Sequence, residues 1–149
     1  MKTILLGLLA MSISLNVNAS EGGMQDKASN FSFQETQARL ESAIKEKGLT
    51  QFAKIDHADG AQKAGLSMRP ATVTIFGAAK GGTPFMVASP RAAIDFPLKA
   101  LVWENAEGKV FVSYNSLDYI VNRHKITGQD ELAAKLNGLL GAIAKAATE

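Results

Sequence analysis

The chain has 149 residues, with 16 lysines and arginines against 14 acidic residues, two histidines and no cysteine. That near balance, with no run of five like charges, argues against nucleic acid or an anionic membrane surface as the partner. The absent thiol excludes disulfides, cysteine nucleophiles and a lipid on cysteine, and two histidines are few for a zinc site of three or four ligands.

At the N terminus, Lys2 precedes an uncharged, leucine-rich run over residues 3–15. Val17-Asn18-Ala19 then sets small or compact residues at the positions a signal peptidase needs. Residues 1–19 are therefore expected to be a cleavable secretory signal, cut after Ala19, which sends the rest to the periplasm. The apolar run is shorter than the roughly 20 residues that span a bilayer, so stable membrane insertion after processing is not expected. The remaining 130 residues, with 15 basic and 14 acidic side chains, suit a single domain. A domain of that size buries enough surface to need neither disulfide nor metal.

Residues 20–29 are polar and glycine-containing and read as a flexible leader, leaving 30–149 as the domain. Asn30-Phe31-Ser32 reads as a short strand entering a helix. Ser32 with Glu35 makes the S-x-x-E capping box. Leu40, Ala43 and Ile44 follow near helical spacing, and Gly48 stops the helix. Residues 49–57 alternate as a strand, with Ala53, Ile55 and His57 on one face and Phe52, Lys54 and Asp56 on the other. Residues 58–65 suit a short helical turn or loop. The β-branched and aromatic run 72–76 predicts a strand, 77–84 reads as a loop, and Phe85-Met86-Val87 as a further short strand. Residues 89–97, with two prolines, predict one helical turn.

Residues 98–104 and 109–114 give the best hairpin signal, joined by Asn105-Ala106-Glu107-Gly108 with glycine where positive φ is usual. A short helix is expected over 115–124. The final helix, with Thr127 as a cap and Asp130 and Glu131 at its positive end, carries a stripe of Leu132, Leu136, Leu139, Leu140 and Ile143. Gly138 and Gly141 within it predict close packing, since each weakens the helix by about 1 kcal/mol relative to alanine. The order β-α-β(4)-α indicates an α+β fold, an antiparallel sheet of four to six strands with two main helices on one face.

Four segments carry a family likeness. They are Asp56-His57-Ala58-Asp59-Gly60-Ala61; Gly65-Leu66-Ser67-Met68-Arg69-Pro70; Phe76-Gly77 with Lys80, Gly82, Thr83 and Pro84; and Asp95-Phe96-Pro97-Leu98 through Trp103, Gly108 and Tyr114. In order and spacing these resemble the bacterial family called domain of unknown function 302, over about residues 30–124. Two departures are Ala78-Ala79, where the family usually has Asn-Pro, and Phe96, where it usually has Leu. The resemblance implies a TATA-binding-protein-like α+β fold and brings no established reaction.

Several residues invite chemistry. His57, whose unperturbed pKa of about 6.5 suits a general base, is placed by alternation toward the core or a pocket, where it can equally hold a loop by hydrogen bonds. Residues 77–84, with Lys80 and glycine amides, suggest an anion nest or a plain turn loop, but not a Walker A motif. Arg69, Arg91 and Lys80 are candidates to bind an anion or carboxylate together. Trp103, Phe111 and Tyr114 are expected in the core and Met86 as filler. The candidate ligand-binding set is thus His57, Arg69, Phe76, Gly77, Lys80 and Thr83, with no metal or cofactor. The function expected is a non-enzymatic periplasmic module that binds a small molecule. Two alternatives stand beside it: a hydrolase-like or isomerase-like enzyme with His57 as base, and a self-associating protein that forms a homodimer.

Overall fold

The computed structural model describes residues 21–149. The expected signal segment, 1–19, lies outside the described residues. The elements run β1 (Met24–Ala28), α1 (Phe33–Glu46), β2 (Thr50–Asp56), α2 (His57–Lys63), β3 (Ala71–Gly77), α3 (Ala79–Ala88), β4 (Leu98–Glu104), β5 (Val110–Asn115), α4 (Leu117–His124) and α5 (Asp130–Thr148), with a 3₁₀ turn at Pro90–Ile94.

The five strands form one sheet in the order β1-β5-β4-β3-β2, every neighbouring pair antiparallel. From β1 at one edge, α1 carries the chain to β2 at the other edge. The strands β3, β4 and β5 then step back toward β1. The fold is α+β, as the sequence order implies.

Alternation sorts the strands into two faces. Thr72, Thr74 and Phe76 of β3, Ala100 and Val102 of β4 and Val112 of β5 are buried, and the apolar ones pack with Leu40 and Ile44 of α1 and Leu136, Leu140 and Ile143 of α5 in one core. Side chains on the other face, such as Val73, Ile75, Leu101, Trp103 and Phe111, are only partly buried and lie outside that core.

Local signals set most helix ends. Ser32 accepts from the Glu35 backbone N–H at 3.2 Å, one half of the expected capping box, and Ser116 does the same for Tyr119 at 3.2 Å. Asn105 Oδ1 accepts from the N–H groups of Glu107 and Lys109, closing the β4–β5 turn with Gly108 at φ 78°.

Five local expectations are corrected. The first strand lies at Met24–Ala28, inside the stretch read as a leader, and not at Asn30-Phe31-Ser32. Its sequence, MQDKA, has little β-propensity, and its strand form comes from backbone pairing with β5. Second, residues 79–88 form a helix where a loop and a short strand were read. Two glycines and Pro84 disfavour a helix there, but Phe85 is fully buried and stacks on Phe96 at 5.5 Å, and that packing overrides propensity.

Third, the face of β2 carrying Ala53 and Ile55 is not the core face. A bulge after Gln51 pairs Lys54 and Asp56 with the buried Thr74 and Thr72 and turns Ala53 and Ile55 to the open face. Fourth, α5 begins at Asp130 after Gln129 and has no side-chain cap, so Thr127 does not cap it. Fifth, Gly141 lies near Tyr114, where a Cβ would stand 3.8 Å from the phenol oxygen, but one at Gly138 would meet nothing within 4 Å.

Candidate functional site

The end of the sheet where β3 finishes and β4 begins opens into an apolar cleft of about 270 Å³. Its volume falls just below the range of drug-sized sites, about 300–1,000 Å³, and so suits a small molecule. Leu49 immediately precedes β2 and Phe52 lies near its start, while Gly81, Gly82, Thr83 and Met86 come from α3. Phe96 and Pro97 precede β4, and Leu136 and Leu139 belong to α5.

Each wall has a local cause. The β2 bulge leaves Phe52 without a cross-strand partner and 58% exposed, a large apolar side chain beside the opening. Glycines let α3 come close to its neighbours. A Cβ at Gly81 would stand 3.7 Å from a Leu136 methyl, and one at Gly82 would stand 3.2 Å from the Phe96 ring. Thr83 supplies the single polar side chain of the lining. The cleft therefore selects by shape and apolar contact, with one hydroxyl available to orient a polar end.

The six sequence-predicted ligand residues are not gathered in this cleft. Gly77 and Thr83 line it. Phe76, on the preceding strand position, is fully buried in the core. Lys80 is exposed on α3 but outside the lining. His57 is exposed as the first residue of α2, whose N-cap is Asp56, bonded to the Asp59 N–H at 3.0 Å. The expectation that His57 faces the core does not hold, because the strand ends one residue before it.

Arg69 donates to Glu104 Oε1 and to the Ala106 carbonyl, both at 2.8 Å, and so ties the segment before β3 to the β4–β5 turn. Among the described residues no group of three or more histidines or acidic side chains is placed to hold a metal ion.

Sequence reasoning passed over a second polar cluster. His124 Nε2 and Asp95 Oδ2 are hydrogen-bonded at 2.5 Å, with both side chains nearly buried, and Arg123 reaches the other Asp95 oxygen at 3.3 Å. This pair ties the last turn of α4 to the segment that delivers Phe96 to the cleft. Beside it, Ser89, Arg91, Arg123 and Lys125 line a more polar hollow of about 560 Å³. Asp95 and His124 are 29 positions apart, and no local pattern links them. The cleft residues are equally hidden in the sequence: Leu136 and Leu139 belong to a core-like leucine stripe, Met86 reads as core filler, and the bulge that exposes Phe52 has no sequence mark.

On the helix-covered side, Glu41 links α1 to β2. Burial raises its pKa, but hydrogen bonds from Gln37 and Lys54 and the Lys54 charge outweigh that and leave it below the ordinary carboxylate value. Burial holds the Tyr114 phenol above its usual value, offset in part by Lys27.

Three curated relatives match over 115 residues at 32% identity, covering 77% of this chain. They are fluoride-specific ion channel FluC 1 of Brucella suis biovar 1, FluC 1 of Brucella abortus biovar 1 and FluC 2 of Brucella melitensis biotype 1. The chain spans 43–45% of their lengths, less than half.

Among solved structures, an uncharacterized conserved DUF302 protein from Bacillus stearothermophilus superposes with a TM-score of 0.76 over 84% of this chain and 98% of that one. The identity is 17%, so this likeness speaks for the fold alone. The model of the family described as domain of unknown function DUF302 matches residues 25–143, which takes in all five strands apart from the first residue of β1 and most of α5. The chain belongs to the DUF302 family.

Proposed function

We propose that this domain is a non-enzymatic binding module, and that the apolar cleft between α3, α5 and the β3–β4 end of the sheet holds a small, largely apolar molecule. The observation that carries this reading is the lining: thirteen of its fourteen residues have apolar side chains or none, and Thr83 alone is polar. Such a wall offers burial and shape and no group to move a proton. On this reading the domain works in the periplasm after cleavage following Ala19, a location supported by Lys2 and the uncharged run that follows it.

The Brucella relatives bear the name of a fluoride channel over a length more than twice the matched segment. Among the described residues here, no helix is long and apolar enough to cross a membrane. Both facts support a binding domain carried beside a transport unit, distinct from the pore itself.

The test is titration of the purified chain with 1-anilinonaphthalene, a neutral fluorescent probe of the cleft's chemistry. Saturable one-to-one binding is expected, abolished in Gly81→Leu, which fills the space toward Leu136, and weakened in Thr83→Trp, which crowds the rim. Binding that never saturates, or that both variants retain while keeping the wild-type circular dichroism, would overturn the reading.

A further inference from the structure

We infer that the polar hollow beside the His124–Asp95 pair is a site for a phosphate monoester, a small organic dianion. The hollow holds about 560 Å³, and its lining shares no residue with the apolar cleft. Arg91 and Ile94 reach it from the 3₁₀ turn at Pro90–Ile94 and Ser89 from the residue before that turn. Arg123, His124 and Lys125 come from the end of α4. Of the three cations that the sequence suggested for an anion, Arg91 alone is here; Arg69 and Lys80 are not in the lining.

The basic groups of the hollow are largely unspent. Arg39 lies over the Phe31 ring, Arg69 holds Glu104 and Arg123 touches Asp95. Arg91 is the one arginine among the described residues with no such partner, and it is exposed. Arg123 meets Asp95 by a single contact at 3.3 Å, which leaves most of its N–H donors open. The Ser89 hydroxyl makes no capping bond to the turn that it precedes.

Lys125 carries a separate sign of use. It is the one residue other than glycine with positive φ among those described, at 53°, in the left-handed cap of α4. Glycine suits that position best, and a side chain there is strained. Such an outlier points to a task for the side chain. The last carbonyls of α4 are met by the N–H groups of Lys125 and Ile126, so the cap itself is made by backbone and does not use the ammonium.

Charge and shape choose the ligand. No acidic side chain lines the hollow, and Asp95 behind it is bonded to both His124 and Arg123. Arg91, Arg123 and Lys125 exceed the charge of Asp95 by two, which a phosphate monoester dianion neutralises. The carbonyl end of α4 offsets only part of that excess. Three terminal phosphate oxygens suit three basic side chains, two of them arginines, whereas a carboxylate brings a single charge and fewer acceptors. Ile94, 70% exposed at the lining, gives the organic part of the ester an apolar surface to cover.

Calorimetric titration of the purified chain at neutral pH and low salt, with phenyl phosphate, inorganic phosphate and succinate, tests this. One phenyl phosphate per chain is expected, bound more tightly than inorganic phosphate and far more tightly than succinate. Ile94→Ser should remove the advantage of the phenyl ester. Arg91→Gln should weaken both phosphates about tenfold or more, the loss of one charge-assisted contact. Lys125→Gly should weaken them likewise while its Tm equals or exceeds that of the wild type, a pairing that a merely structural lysine would not give. Lys80→Gln, which removes the same charge elsewhere, and Gly81→Leu, which fills the cleft, should both leave binding unchanged. Absence of saturable phosphate binding would overturn the inference. So would equal weakening by Lys80→Gln, loss of binding in Gly81→Leu, full binding in both Arg91→Gln and Lys125→Gly, succinate bound as tightly as phosphate, or binding to phosphatidic acid vesicles alone.

Discussion

Replacing Gly81 and Gly82 by alanine, one at a time, tests how closely α3 approaches the sheet end and so whether the cleft has the shape described. Neither glycine has a positive φ, so each accepts an alanine backbone. In a helix the change stabilises by about 1 kcal/mol. At Gly81 the new methyl meets Leu136 at 3.7 and 3.9 Å, ordinary contact, and partial burial of one methyl adds about 0.4 kcal/mol.

At Gly82 the same gain is opposed. The methyl would lie 3.2 Å from the Phe96 ring and 3.7 Å from the Met86 methyl. Phe96 cannot withdraw freely because it stacks on Phe85, which is fully buried. Overpacking of this kind costs about 1–3 kcal/mol. Gly81→Ala is therefore expected to stabilise by about 1–1.5 kcal/mol, raising Tm by about 3–6 °C for a domain of this size. Gly82→Ala is expected to fall between no change and about 2 kcal/mol of destabilisation. Urea denaturation followed by circular dichroism measures both. If Gly82→Ala proves as stabilising as Gly81→Ala, α3 does not press on Phe96 and the cleft is wider than described.

Two further predictions concern links between elements. The lowered pKa of Glu41 means that its stabilising contribution is present above its unfolded value of 4.5 and is lost as pH falls through the folded value. Glu41→Gln should cost less than about 1 kcal/mol at neutral pH, since Lys54 is half in solvent, and the difference should shrink as the pH falls through the lowered folded-state value of Glu41. A difference in urea midpoint that does not change with pH would refute it. Asn137 of α5 accepts from the Leu117 N–H at 2.7 Å, next to a fully buried side chain at the start of α4. Asn137→Ala should destabilise by about 1–3 kcal/mol by leaving that donor unpaired, and Asn137→Asp, whose carboxylate oxygen still accepts, should avoid most of that loss; equal thermal stabilities of the two variants would show that the bond contributes nothing.

Local chemistry determined a good deal of this protein. The Ser32 cap, the Asn105–Gly108 hairpin turn and the leucine stripe of α5 each depend on residues within a few positions of one another, so their patterns are legible in the sequence. Together with the order of elements they were enough for the α+β class, and four short motif segments between Asp56 and Tyr114 were enough for the family. The tertiary structure decided what depends on distant partners. Strand β1 exists because β5 offers it a ladder, and α3 is helical because Phe85 finds a buried place against Phe96. The direction of β2 turns on a bulge that no residue type announces. That one-residue slip reverses which side chains meet the helices, and so it moved Ala53 and Ile55 to the open face and put Phe52 beside the cleft. The polar residues that stand out in the sequence, His57 and Arg69, serve exposed and structural positions. The cleft is built from ordinary apolar side chains brought together from five segments, and their shared concavity is a property of packing that hydrophobic periodicity cannot encode.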